Sequence, residues 1–270
     1  MSDWGQGVVN NTIEWGRGGT NNTIDWGAVY ADSPSGDTAL NAATFSNTYS
    51  VSFDGADQYV NCGDISGLDG ATQASWSCWL YIDDSGDNYV LSQWDGSSAA
   101  SNNFMLYVKP SANRFDVYCG SSISFRRTDI TIATGQWHHV AVTYNASNTA
   151  KQRVILYLNG TQYLQTLYNG PTSLKPSPAS DFLIAKRGGF AFYPFEGEID
   201  EVAIFNIELS QSQVTALSST PIDLTGHSGI IHWWRMGDND GGTGSTITDQ
   251  VGSNNGTLTN SPVFSTNAPT

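Results

Sequence analysis

Charge is scarce in this 270-residue chain, and basic charge is scarcest: 13% of residues are charged, with 11 Lys and Arg against 25 acids. A formal charge of −14 repels phosphate backbones and anionic bilayers, which excludes nucleic acid and membrane surfaces as expected partners. Cysteine is scarce too. Cys62, Cys78 and Cys119 are an odd number with no CxxC pair and no zinc spacing, so neither a disulfide framework nor a zinc site is expected. Cys78 lies among Trp76 and Leu80 on one strand face and reads as core. No apolar run approaches the length of a membrane-spanning helix. The first thirty residues hold no basic stretch followed by an apolar one, so no secretory leader is expected.

Aromatics, by contrast, are plentiful, with nine Trp and twelve Tyr beside 28 Gly. That is the profile of a strand-and-turn protein with flat contact surfaces rather than a helical bundle. The length suits one large all-β domain with an appendage.

The appendage is the N-terminus. Asn10-Asn11-Thr12-Ile13-Glu14-Trp15-Gly16 returns as Asn21-Asn22-Thr23-Ile24-Asp25-Trp26-Gly27, and Asp3-Trp4-Gly5 is the tail of an earlier copy. One such unit cannot bury its Trp alone, so Trp4, Ile13, Trp15, Ile24 and Trp26 are expected to dock on neighbouring copies or on another chain. A flexible Gly/Asn-rich arm is the bland alternative. The segment resembles N-terminal parts of marine bacteriophage structural proteins. Residues 1–43 are thus read as docking arm and linker, 44–220 as the main domain, and 221–270 as a strand and hairpin that complete it or cap a neighbour.

Within the main domain, period-two alternation marks strands at short spacing. Residues 74–82 place Trp76, Cys78, Leu80 and Ile82 on one face and Ser75, Ser77, Trp79 and Tyr81 on the other. Further strands are read at 88–94, 104–108, 114–118 and 123–127, with a hairpin across Asn159-Gly160. Residues 195–206, FEGEIDEVAIFN, read as one regular strand. Ile199, Glu201, Ala203 and Phe205 share one face, and Glu198, Asp200, Val202 and Ile204 the other. Ser210 then caps a short helix that turns Val214 and Leu217 inward.

The stretches SFDGADQYV (52–60), WHHVAVTY (137–144), LYLNG (156–160) and FEGEIDEVAIFN, in that order, resemble the laminin-G-like, concanavalin A-like domains. The resemblance implies an all-β fold, a two-sheet antiparallel jelly-roll sandwich, here with an N-terminal repeat arm. Glucanases of this fold carry Glu-x-Asp-x-Glu or Glu-x-Asp-x-x-Glu. Glu198-Ile199-Asp200 matches the first half, but Val202 and Ala203 stand where the acid/base belongs, and Glu201 is placed on the opposite face. No enzyme is expected.

Calcium is the better chemical hypothesis. The resemblance makes the strands of Asp54 and Asp57 and of Asp200 and Glu201 neighbours, so the four carboxylates could share a structural ion. The alternative is that Asp54 closes a turn and Asp200 accepts backbone N–H groups. Glycan or partner binding is assigned to Trp94 and Asp95 in one loop and Phe190, Phe192 and Tyr193 in another, as flat aromatic shelves with polar neighbours. Together these features point first to a non-enzymatic bacteriophage virion protein, oligomeric in assembly, with a lectin-like domain for protein contacts or host surface-glycan attachment. The second reading is a calcium-dependent carbohydrate-binding or adhesion module at a bacterial cell surface.

Overall fold

Where the chain alternates apolar and polar residues it forms strands, and the turns between them take the Gly, Asn and Asp. The computed structural model describes residues 45–94, 103–120, 122–165, 167–176, 180–189 and 194–270. The repeat with Trp4, Ile13, Trp15, Ile24 and Trp26, together with Asp95, Phe190, Phe192 and Tyr193, lies outside the described residues.

In chain order the strands begin with β1 (Ser50–Asp54), β2 (Tyr59–Asn61), β3 (Gln73–Ile82), β4 (Asn88–Gln93) and β5 (Phe104–Lys109). Next come β6 (Arg114–Cys119), β7 (Ser122–Arg127), β8 (Trp137–Asn145), β9 (Val154–Leu158), β10 (Thr161–Tyr163), β11 (Phe182–Ile184) and β12 (Glu196–Phe205). After the helix α1 (Gln211–Ser219) follow β13 (Ile230–Trp234), β14 (Thr246–Ile247), β15 (Gly256–Thr259) and β16 (Val263–Ser265). The first sheet runs β10-β9-β8-β3-β12-β1-β16, with β13 also paired to β12. The second runs β14-β15-β2-β11-β4-β5-β6-β7. Every pairing given for these strands is antiparallel, and the two sheets form a jelly-roll sandwich.

The inner faces meet as the alternation requires. Trp76, Cys78, Leu80 and Ile82 of β3 are buried in the main core, and Trp76 stacks on Phe104 of the other sheet at 3.8 Å. Trp234 of β13 stacks on Phe182 of β11 at 5.7 Å, so the C-terminal segment contributes to the same core. Its later strands join both sheets of their own chain, β15 beside β2 and β16 beside β1.

The two outer faces differ. Over the first sheet, Ser210 and Gln213 form a reciprocal cap for α1, and Val214 and Leu217 of the helix pack on Ala141, Tyr157 and Phe205. The segment Leu209 to Trp233 adds Ile222 and Leu224 to that second apolar cluster. Among the described residues no helix covers the outer face of the second sheet. It carries its own small cluster of Tyr89, Trp94, Met105 and Tyr107.

The regular alternation expected for 195–206 breaks at Glu201. Its backbone is left-handed, with φ of 49°, and the pairing of β12 with β3 shifts register between Asp200 and Ala203. The bulge inserts one residue, which flips the faces beyond it. Ile199, Val202 and Ile204 therefore point into the main core, while Ala203 and Phe205 face α1. Glu201 joins Asp200 on the same side instead of opposing it.

Candidate functional site

The bulge sits where β12 changes partner. Along one edge, Ile199 to Glu196 pair with Val51 to Asp54 of β1, and Val202 to Phe205 pair with Trp234 to Ile230 of β13. Asp200 and Glu201 fall at the seam between the two. Asp200 accepts from Asn47 Nδ2 at 2.8 Å and from the Glu201 amide at 2.8 Å. Glu201 accepts from Trp233 Nε1 at 2.6 Å and Arg235 Nε at 3.2 Å. Asp238 accepts from the amides of Thr48 at 2.8 Å and Tyr49 at 3.4 Å, with Arg235 Nη2 3.7 Å away. Burial pushes the Asp200 carboxyl well above its usual range and Glu201 up to about 7, with Arg235 and the Trp233 hydrogen bond opposing the rise at Glu201.

Asp200, Glu201 and Asp238 are close enough to hold a metal ion. The donor set does not fit one. Each of their six carboxylate oxygens already accepts from an N–H group, and the Arg235 guanidinium fills the cationic position. Nor do the four acids expected to share calcium meet. Asp54 pairs with Glu196, four residues from Asp200, a separation of about 13 Å along the strand. Asp54 and Asp57 are exposed, and Asp54 Oδ1 accepts from the Ala56 amide at 2.9 Å, closing its turn. The acids of the strand stitch β1 to β13.

The same geometry bears on glycoside cleavage. Glu198 accepts from Ser265 and Asn267, while Asp200 and Glu201 are 0% and 5% exposed. Asp200 and Glu201 are thus closed off from solvent, while Glu198 is half-buried. Val202 and Ala203 still stand where the glucanase pattern has its third carboxylate, and the bulge corrects only the placing of Glu201, which shares a face with Asp200.

The outer face of the second sheet is of another kind, with Tyr89, Trp94, Met105 and Tyr107 in a buried cluster and Tyr118 part-exposed. β2, β11, β4, β5 and β6 lie side by side, a width of about 19 Å at ~4.8 Å per strand. Register puts Tyr89 opposite Tyr107, Met105 opposite Tyr118, and Tyr107 opposite Asp116, so these side chains share the outer face. Tyr89 and Tyr107 have ring centres 5.3 Å apart, and Trp94 meets Tyr118 edge-on at 5.6 Å. Trp94, assigned to ligand contact from the sequence, is thus on this face, and its buried Nε1 has no hydrogen-bond partner among the described residues.

Cations lie over the rings. The Arg187 guanidinium is 5.6 Å from the Tyr89 ring centre and 5.3 Å from that of Trp94. Arg114 lies 5.2 Å from Tyr107, and Lys186 Nζ 4.0 Å from Tyr59. Beneath them Asp116, 1% exposed, accepts from Arg114 Nε and Nη2 at 3.1 and 2.5 Å and from Arg126 Nε and Nη2 at 2.6 Å each. The hydrogen bonds to Asp116 raise the Arg126 pKa, and burial raises that of the Tyr118 phenol. Tyr107 Oη donates to Asp87, which Lys109 also reaches at 2.8 Å.

Two recesses open on this face. One of about 180 Å³ is lined by Tyr89, Tyr107, Arg114, Asp116 and Tyr118, and one of about 310 Å³ by Tyr59, Asn61, Trp94, Asp181 and Lys186. A third cavity, about 460 Å³, lies by the seam between Phe45, Tyr49, Asp223, Trp233 and Arg235. Sequence reading missed the platform tyrosines and arginines. Alternation in 104–108 and 114–118 carried the only signal, since it places Met105 and Tyr107 with Tyr118 on the face away from the core.

Residues 54–215 match the Concanavalin A-like lectin/glucanases superfamily. A 125-residue stretch is 28% identical to pikachurin of Rattus norvegicus, covering 45% of this chain and 12% of that protein. A structure from Bacteroides ovatus ATCC 8483, described as a carbohydrate-binding protein, superposes with a TM-score of 0.63 at 20% identity, over 83% of this chain and 62% of that one. The CBM40 module of the Ruminococcus gnavus IT-sialidase gives 0.49 at 17% identity, over 63% of this chain and 96% of the module. At these identities the structural likenesses concern the fold. The chain spans about an eighth of pikachurin and less than two thirds of the Bacteroides protein.

Proposed function

The chain belongs to the Concanavalin A-like lectin/glucanases superfamily, and on that premise we propose that it is a non-catalytic carbohydrate-binding module that works outside the cell. Its glycan lies across the outer face of the second sheet. The observation that carries this reading is a pair of part-exposed rings, Tyr118 and Tyr59, each lining one of two recesses above the buried Tyr89, Trp94 and Tyr107. A pyranose has one apolar face and a rim of hydroxyls. Aromatic rings take the first, and fixed polar groups such as Asn61, Asp181 and Arg114 take the second.

The opposite outer face is a poorer candidate. α1 and the segment leading to β13 cover it, and its acids are spent on the seam. The described carbohydrate-binding character of the Bacteroides protein favours a glycan over a protein ligand. The virion reading rests on the N-terminal repeat, outside the described residues, and on the sequence expectations of no leader and no catalytic carboxylate, and no structural observation supports it. Calcium dependence has no support at Asp200 and Glu201, whose oxygens are engaged.

The test is a glycan array probed with the wild-type chain and with Tyr118→Ala. Tyr118 is half-buried, so its truncation leaves the main core intact. Binding that falls at least about tenfold in the variant supports the platform. Unchanged binding moves the site elsewhere.

A further inference from the structure

Charge on the platform runs against charge on the chain. The molecule carries −14 overall with 11 basic residues, yet Lys109, Arg114, Arg126, Lys186 and Arg187 lie on this one face. Among the described residues Asp87, Asp116 and Asp181 are the acids set against them there, and Asp181 already accepts from Asn61 at 2.8 Å. A neutral sugar has no use for such a concentration of cations in so acidic a protein.

The arrangement at Asp116 is specific. One buried carboxylate holds two guanidinium groups, leaving the trio with a single positive charge. Arg114 and Arg126 use their Nε and Nη2 donors on Asp116, and the Nη1 nitrogen of each has no partner among the described residues. Their side chains are 31% and 27% exposed, so these donors reach solvent from a fixed base. Fixed, weakly hydrated guanidinium groups beside aromatic rings suit a planar or tetrahedral oxyanion at low entropic cost.

We propose that the ligand of this platform is an anionic glycan, whose carboxylate or sulfate is received by Arg114 and Arg126 while a neighbouring sugar ring packs on the part-exposed Tyr118. The proposal rests on the carbohydrate-binding reading and adds the class of sugar. Arg187, over Tyr89 of β4, and Lys186, over Tyr59 of β2, extend the cationic character along the same face for a repeating acidic chain.

The experiment titrates the full chain with matched pairs: polygalacturonate against its methyl ester, and dextran sulfate against dextran, with duplex DNA as a non-sugar polyanion. Arg126→Gln is the diagnostic variant, because Asp116 keeps Arg114 as its partner and stays paired. Its melting temperature is measured alongside. The expected result is at least about tenfold tighter binding to one acidic member than to its neutral partner, weakened by added salt and abolished as a preference in Arg126→Gln. Whether polygalacturonate or dextran sulfate wins identifies carboxylate or sulfate as the anion. Equal affinity for acidic and neutral forms, both lost in Tyr118→Ala, overturns the anionic preference and leaves the carbohydrate reading standing. DNA bound as tightly as the acidic sugar also overturns it, as generic attraction. No binding to any sugar overturns both.

Discussion

Glu201 Oε1 accepts from Arg235 Nε at 3.2 Å at the point where β12 exchanges β1 for β13 as its neighbour. Glu201 is a left-handed bulge residue and Arg235 follows the last residue of β13, so the pair fixes the C-terminal segment to the centre of the first sheet. Arg235 also spans to the Ser46 carbonyl and lies 4.1 Å from the Phe45 ring, which draws in the residues before β1.

Removing Arg235 takes away the cation that opposes the rise at Glu201, so the buried carboxyl must take up a proton and loses a donor. Arg235→Gln is expected to destabilise the chain by about 3–5 kcal/mol, as breaking a buried pair does. The double variant Glu201→Gln/Arg235→Met restores part of that loss. Urea unfolding of the wild type and the two variants measures both effects.

Burial also makes stability depend on pH. His139 is held neutral with its pKa pushed down to about 3, against about 6.5 unfolded. A depressed pKa contributes stability that is complete above about pH 6.5 and is lost as pH falls toward 3. Glu201, raised to about 7, acts oppositely: its contribution is complete below about 4.5 and is lost as pH rises through 7. Comparing the wild type with His139→Gln isolates the first. The stability difference is expected to move against the wild type by about 3 kcal/mol between pH 7 and pH 4, read from urea midpoints. A constant difference contradicts it.

The three thiols are buried, and desolvation raises all three pKa values. The native chain is therefore expected to react with a chromogenic disulfide reagent at close to zero thiols, and the unfolded chain at three. Absorbance of the released thiolate counts them.

Gly197 has φ of 131°, and a Cβ there would lie 2.0 Å from the Tyr81 carbonyl oxygen across the β12–β3 pair. Gly197→Ala is expected to cost at least about 1–3 kcal/mol, since the obstruction is backbone and the dihedral disfavours a side chain. Thermal unfolding tests this.

Much of this architecture was legible in residue patterning. The alternation of 74–82 places Trp76 and Leu80 inside, and Ser210 with Gln213 announces α1. The ordered FDG, WHHVAVTY, LYLNG and GEIDEVAIFN stretches mark the jelly roll. The bulge was not legible. Nothing local in Asp200-Glu201-Val202 signals a left-handed residue, and the bulge shows only in the register of β12 against β3. The platform was half legible. Trp94 stood out as a loop aromatic, but Tyr107, Arg114, Asp116 and Arg126 act together only once three hairpin-linked strands align. The carboxylates of Asp200 and Glu201, which drew most notice in the sequence, are hydrogen-bonded at the seam.

The central claim is that glycan lies on the second sheet and not by the seam. The most direct measurement is calorimetric titration of the leading array glycan into Tyr118→Ala and into Thr225→Trp, which fills the 460 Å³ cavity beside Trp233 and Arg235. The account predicts affinity at least about tenfold weaker in Tyr118→Ala and unchanged in Thr225→Trp. The reverse pattern would contradict it and move the site to the seam.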